Sequence, residues 1–117
     1  MPTILVLEDD SATRNGLVDI LRQLYAGARV ASARSDAAPG IMAVERPDVA
    51  LASLPAVERL SGGGAPPGVP VVALTREMSP DTLMKAETLG ATGVLRTPAG
   101  AEQVAAVLGP ILDALPH

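Results

Sequence analysis

The sequence contains no cysteine, tryptophan or phenylalanine, and Tyr25 is its single aromatic residue. Without cysteine, disulfide bonds and thiolate metal sites are excluded. One tyrosine cannot form the aromatic platform on which single-stranded nucleic acids stack. The core must therefore be aliphatic, and 48% of the 117 residues are hydrophobic. That fraction predicts a folded domain of ordinary size rather than a disordered chain.

Clustered basic residues and long apolar runs are also missing. The net charge is −4, and no run of Lys or Arg offers a surface for backbone phosphates, so we expect no direct binding to nucleic acid. No apolar run approaches the roughly 20 residues that cross a bilayer. Acidic residues follow at once on the apolar residues 4–7, unlike the pattern of a signal peptide. We therefore expect a cytoplasmic protein without membrane contact.

The hydrophobic pattern alternates between strand-like and helix-like segments. Short apolar runs predict strands at residues 3–7, 29–33, 48–53, 69–75 and 94–96. Helical spacing of apolar residues predicts helices at 11–24, 35–45, 56–60, 80–89 and 101–115. Five alternations of strand and helix predict one α/β domain over residues 1–117, with a five-stranded, doubly wound parallel sheet.

Several helix ends can be predicted from single residues. Ser11, Ser35 and Ser79 are expected N-caps, and a proline follows the last of them. Gly90 should close the fourth helix, and Pro110 should kink the fifth. The segment 61–68, SGGGAPPG, is interpreted as a flexible connector. No phosphate-loop motif follows it, and it leaves space for only a short third helix.

In an open parallel sheet, ligands bind beyond the carboxyl ends of the strands. Polar residues follow four of the predicted strands. They are Glu8, Asp9 and Asp10 after the first, Ser53 at the end of the third, Thr75 and Arg76 at the fourth, and Arg96 and Thr97 at the fifth.

The segments ILVLEDD, PDVALASLP, VPVVALT and GATGVLRTP occur in this order along the chain. Together they resemble the receiver domain of bacterial response regulators, over nearly the whole chain. The resemblance implies a flavodoxin-like fold of the receiver type. The segment between Ser53 and Thr75 departs from that pattern, because its glycines and prolines leave space for only a turn or two, so we expect a third helix that is shorter by roughly two turns. The resemblance also implies that Glu8 and Asp9 match the acidic pair that binds Mg²⁺. Thr75 matches the hydroxyl that contacts the phosphoryl oxygens.

Three positions depart from the receiver pattern. Ser53 stands at the position of the phosphoacceptor Asp, Thr97 at that of a Lys, and Val94 at that of an aromatic switch residue. Serine is not an anionic nucleophile at neutral pH, and its phosphate would be an ordinary ester. Thr97 lacks the charge that would stabilise transferring oxygens. With one carboxylate fewer, Glu8 and Asp9 are expected to hold Mg²⁺ weakly if at all, so we expect no cofactor.

The remaining acidic pair allows two interpretations. Glu8 and Asp9 are either a residual metal site or a solvated entry to the first helix, where carboxylates are favourable. Without a cation, close carboxylates should raise each other's pKa. Our hypothesis is that Arg76 or Arg96 neutralises them, which requires ion-pair distances. Thr75 is interpreted as a strand-end hydroxyl in preference to a catalytic one.

The leading functional hypothesis is a pseudo-receiver, which is not an enzyme and signals without phosphorylation. It would contact a protein partner, its own output domain in a longer chain, or a second copy. The end of the last helix, with Leu112, Leu115 and Pro116, is a possible homodimer face. The alternative is a ligand- or metal-responsive regulatory domain that uses the vestigial pocket near Arg76 and Thr97.

An enzyme of related fold is the third hypothesis. A phosphatase of the aspartyl-phosphate type needs an Asp nucleophile after the first strand and a second Asp two residues on, whereas this chain has Glu8 and Asp10. A flavin site would use aromatic stacking, which the chain cannot provide. We therefore disfavour an enzyme.

Overall fold

The computed structural model describes residues 2–61 and 68–115. In this part of the chain the strands are β1 (Thr3–Leu7), β2 (Arg29–Ala33), β3 (Val49–Ser53), β4 (Val71–Thr75) and β5 (Gly93–Arg96). The helices are α1 (Ser11–Leu24), α2 (Ala38–Glu45), α3 (Leu54–Arg59), α4 (Pro80–Thr88) and α5 (Ala101–Asp113), with a single 3₁₀ turn at Ser35–Ala37 before α2. None of these helices is long and apolar enough to cross a membrane.

All neighbouring strands are parallel, in the order β2-β1-β3-β4-β5. This order confirms the predicted five-stranded, doubly wound sheet. The chain leaves β1 toward one edge of the sheet and returns to build the other half from β3 onward. Such a change of direction creates a crevice at the carboxyl ends of β1 and β3. Register brings the ends of the strands level, with Leu7 opposite Ala52 and Thr75 opposite Arg96.

The sheet is buried on both faces, as continuous apolar strands require. On one face, side chains of β1, β3 and β4 pack against Leu17 and Leu21 of α1 and against Val104 and Leu108 of α5. On the other face, the alternate strand residues pack against α2, α3 and α4, which contribute small and flexible side chains such as Met42. Aliphatic side chains therefore fill both cores, as the lack of aromatics predicts.

The predicted strands and helices are all present, with small shifts of their ends. The third helix begins at Leu54, not at residue 56, because Pro55 is compatible with a first helical turn. It spans six residues, so the predicted short third helix is confirmed. The part of the glycine-rich connector at 62–67 lies outside the described residues, as does Pro116 of the predicted dimer face.

Two of the predicted N-caps are wrong. Asp10, not Ser11, caps α1, and its carboxylate accepts a hydrogen bond of 2.9 Å from the Thr13 N–H. A carboxylate reaches this N–H from the position before the helix, which Ser11 does not occupy because it is already helical. Ser35 lies inside the 3₁₀ turn and makes no side-chain cap there. The Ser79 cap of α4 is confirmed, by a bond of 3.2 Å from the Thr82 N–H.

Candidate functional site

The carboxyl edge of the sheet collects the predicted site residues at successive strand ends. Leu7 pairs with Ala52, so Glu8 and Ser53 are the next residues on their two strands. Ser53 in turn pairs with Leu74, one position before Thr75. Thr97 follows directly on Arg96, the last residue of β5. The predicted set therefore lies along one edge of the sheet, around the point where the strand order reverses.

Ser53 is buried, with 7% of its surface exposed. Its Oγ has no hydrogen-bond partner among the described residues, although the residue sits at the junction of β3 and α3. A buried hydroxyl without a partner loses its hydration and gains nothing in return. Ser53 is thus neither activated by a base nor used as a helix cap.

Thr75 is engaged with its own turn. Its Oγ1 donates to the Glu77 carbonyl at 2.8 Å and accepts from the Glu77 N–H at 3.1 Å. Such local bonds are typical of threonine at the end of a strand. This geometry favours the strand-end interpretation of the hydroxyl.

Thr97 is also buried, and its backbone extends the pairing of the last two strands. Its N–H donates to the Thr75 carbonyl at 2.8 Å, and the peptide bond to Pro98 is cis. The residue therefore brings a neutral side chain to the position where the receiver pattern has a cation.

Asp9 is held by two donors from one residue. Its Oδ1 accepts from the Ser35 N–H at 2.8 Å and its Oδ2 from the Ser35 hydroxyl at 2.7 Å. These two bonds, followed by the charges of Arg34 and Arg59, hold the pKa of the Asp9 carboxyl below its usual range. The predicted rise in the pKa of Asp9 is therefore wrong, because the donors on both oxygens outweigh the desolvation that raises the pKa.

Glu8 folds back on the backbone that follows it. Its Oε2 accepts from the Asp9 N–H at 2.7 Å and, at 3.4 Å, from the Asp10 N–H. The Arg14 guanidinium donates to the Glu8 carbonyl oxygen at 2.7 Å. The carboxylate thereby stabilises the turn between β1 and α1, which agrees with the helix-entry interpretation.

Arg76 pairs with the third acidic residue instead of the first two. Its guanidinium lies 3.4 Å from Asp10 Oδ2, with both side chains substantially exposed, so the pair contributes little to stability. Bonds from Thr13, and then the charges of Arg76 and Arg14, lower the pKa of Asp10. In the described part of the chain, neither Arg76 nor Arg96 forms an ion pair with Glu8 or Asp9. The hypothesis that Arg76 or Arg96 forms ion pairs with Glu8 and Asp9 is therefore wrong.

The donor set does not fit the Mg²⁺ ion that the receiver pattern implies. Magnesium in proteins is bound in near-octahedral geometry by one or two carboxylates, with waters or phosphate oxygens as the other ligands, and hydrogen bonds to a carboxylate weaken it as a ligand. Both oxygens of Asp9 and one oxygen of Glu8 accept hydrogen bonds from the protein itself. Ser53 adds a neutral hydroxyl, and within residues 2–61 and 68–115 no three acidic or histidine side chains are grouped as metal ligands would be.

Sequence reasoning missed the contribution of Ser35. The pairing of β1 with β2 sets Leu7 opposite Ala33, so residues two positions further on, Asp9 and Ser35, also lie side by side. That register could have pointed to the contact, because both residues are polar and follow adjacent parallel strands. Interpreting Ser35 as a local helix cap hid this long-range partner.

No family model matches the chain, and no curated protein matches it in sequence. Solved structures do match it. The chemotaxis protein CheY4 of Vibrio cholerae has a TM-score of 0.82 at 23% identity, covering 95% of this chain and 98% of that one. The signal receiver domain of a DNA-binding response regulator from Colwellia psychrerythraea 34H has a TM-score of 0.85 at 20% identity, covering 97% and 99%.

A response regulator from Thermotoga maritima is a third similar structure, with a TM-score of 0.81 at 17% identity and coverage of 97% and 99%. These proteins share the order of strands and helices described above over almost their entire length. At sequence identities this low, the similarity to these structures shows a shared fold. The protein therefore has the fold of response-regulator receiver domains.

Proposed function

We propose that the chain is a receiver-type signalling domain that works as a protein-interaction module without accepting a phosphoryl group. The observation that carries this proposal is Ser53, a buried serine with an unpaired Oγ at the end of β3. An acyl phosphate needs a carboxylate at that position. A serine phosphate needs a base that takes the hydroxyl proton, and no described group is within hydrogen-bond distance of Oγ.

The distribution of cations supports the same proposal. Lys85 is the single lysine of the sequence, and its Nζ lies 2.6 Å from Glu58 Oε1, in a pair between α4 and α3. Lys85 is therefore engaged in an ion pair between α3 and α4, and it does not replace the positive charge that the receiver pattern has at position 97. Phosphoryl transfer depends almost entirely on positioning and on electrostatic stabilisation of the oxygens. A neutral hydroxyl at position 97 supplies no positive charge for that stabilisation.

Exposed apolar side chains on and before α4 support a role in protein contacts. Met78, Leu83 and Met84 are all exposed, Met84 at 65%. Methionine side chains adapt to differently shaped partners. We propose that a protein partner or an output domain of the same polypeptide contacts these side chains.

The proposal is tested by incubating the purified chain with acetyl phosphate and Mg²⁺ and measuring its intact mass. We expect no phosphoryl adduct at any incubation time. A receiver domain with an intact acceptor aspartate, treated in parallel, must gain the adduct for the test to be valid. An adduct on this chain that maps to residue 53 contradicts the proposal.

One observation favours a second candidate, a ligand-responsive regulatory domain. The unpaired Ser53 Oγ is a buried hydrogen-bonding group that a small ligand could satisfy. Thermal unfolding in the presence of phosphate, sulfate or Mg²⁺ tests this candidate, with Ser53→Ala as the matched control. A ligand that uses the hydroxyl raises the melting temperature of the unsubstituted chain more than that of Ser53→Ala. Equal shifts in the two chains, or none, exclude it for these probes.

A further inference from the structure

We propose that Ser35 is an internal hydrogen-bond partner of Asp9, which weakens this carboxylate as a cation ligand and ties the start of the second strand-to-helix connection to the edge of the sheet. The Ser35 N–H and O–H reach different oxygens of the same carboxylate, at 2.8 and 2.7 Å. Ser35 itself is 5% exposed, so its donors have no ready access to water. We call this pair of bonds the Asp9–Ser35 latch.

The latch is built on a regular ladder, which fixes its geometry. Leu7 pairs with Ala33, and the Glu8 N–H donates to the Ala33 carbonyl at 3.0 Å, so the pairing of β1 and β2 continues to the last residue before Asp9. Two more residues on each chain lead to Asp9 and Ser35. Because both partners follow paired strands, neither needs to be ordered anew when the bonds form.

A cation at Asp9 would compete with both donors. Each oxygen of the carboxylate already accepts one bond from Ser35, so a cation meets a carboxylate whose negative charge is partly neutralised by hydrogen bonds. A cation that displaced either bond would also leave a buried Ser35 donor without its partner, which is unfavourable. The absence of a carboxylate at position 53 is therefore not the whole reason for the poor fit to Mg²⁺, since the latch weakens a second ligand independently.

Three variants separate the latch from the missing carboxylate: Ser53→Asp, Ser53→Asp with Ser35→Ala, and Ser53→Asp with Ser11→Ala. Isothermal titration with Mg²⁺ measures their dissociation constants. Removing the Ser35 hydroxyl should tighten binding about tenfold relative to Ser53→Asp alone, as expected for one charge-assisted hydrogen bond. Ser11 is also near the acidic pair, but its side chain makes no hydrogen bond in the described structure, so the Ser11→Ala control should bind like Ser53→Asp.

Equal affinity of Ser53→Asp and its Ser35→Ala derivative, or no binding by either, overturns the proposal. Amide hydrogen exchange gives a second test that does not use the Ser53→Asp variants. The Ser35 amide should exchange slowly, and at least about tenfold faster in Asp9→Ala, which has no acceptor for it. A Ser35 amide that exchanges equally fast in both chains also overturns the latch. These readouts are independent of phosphorylation, so failure of the latch and failure of the proposed function are distinguishable.

Discussion

At Ser53, we propose that a neutral hydroxyl stands where receiver domains have the carboxylate that accepts the phosphoryl group. The side chain is buried and its Oγ has no hydrogen-bond partner among the described residues, so the hydroxyl makes no visible contribution to the structure. We expect Ser53→Ala to stabilise the fold by about 1 kcal/mol, because it removes a buried hydroxyl that has lost its hydration. Urea unfolding measures the change. Destabilisation of that size would mean that the hydroxyl has a partner.

Introducing a carboxylate at position 53 should not be enough to make the chain accept a phosphoryl group. Ser53→Asp alone is expected to remain unmodified by acetyl phosphate, even in saturating Mg²⁺, because Thr97 offers no charge to the transferring oxygens. Adding Thr97→Lys should give a phosphoprotein with an acyl-phosphate bond. Intact mass after a hydroxylamine treatment distinguishes that bond from an ester. Ready modification of the single variant would show that the cation at position 97 is unimportant.

The lowered pKa of Asp9 determines how the stability of the protein should depend on pH. The Ser35 bonds lower the pKa of Asp9 in the folded state, so its carboxylate stabilises the fold above the unfolded-state pKa of about 4. That contribution is lost as the pH falls through the folded-state pKa. The melting temperature of the unsubstituted chain should therefore exceed that of Asp9→Asn at neutral pH, and the two should converge below about pH 4. A constant difference across this range contradicts the role assigned to Ser35.

At the scale of single elements, sequence patterns predicted the strands well and the helix starts less well. Buried parallel strands are nearly continuous apolar runs, so β1 and β3 could be recognised from hydrophobicity alone. Helix caps depend on which of two neighbouring polar residues turns toward the backbone. Asp10 and Ser11 are both good capping residues, and the turn of the chain after β1 decides between them.

The caps give a matched pair of variants. Ser79→Ala should destabilise the protein by about 1 kcal/mol, because it leaves the Thr82 N–H at the start of α4 without its acceptor. Ser11→Ala should change stability by less than about 0.5 kcal/mol, since the side chain caps nothing. Chemical unfolding of the two variants measures both effects. Similar losses in both would restore Ser11 as a cap.

At the scale of the whole molecule, the order of the elements and the edge on which the site lies followed from the sequence. Alternation of strand and helix determines a parallel sheet, and a parallel sheet places its strand ends at one edge. The pairing within that edge could not be predicted, because it depends on distances between residues far apart in sequence. Asp9 thus bonds to Ser35, and Arg76 pairs with Asp10, where the sequence suggested that arginine would neutralise Glu8 and Asp9.

We propose that this receiver-like fold signals from a single, unphosphorylated state. The most direct test records the amide spectrum and the intact mass of the same ¹⁵N-labelled sample before and after acetyl phosphate and Mg²⁺ are added. We expect an unchanged mass and unchanged amide positions at the carboxyl edge, around Glu8, Ser53 and Thr75. A phosphoryl adduct accompanied by shifts of these amides and of those on α4 would contradict the proposal.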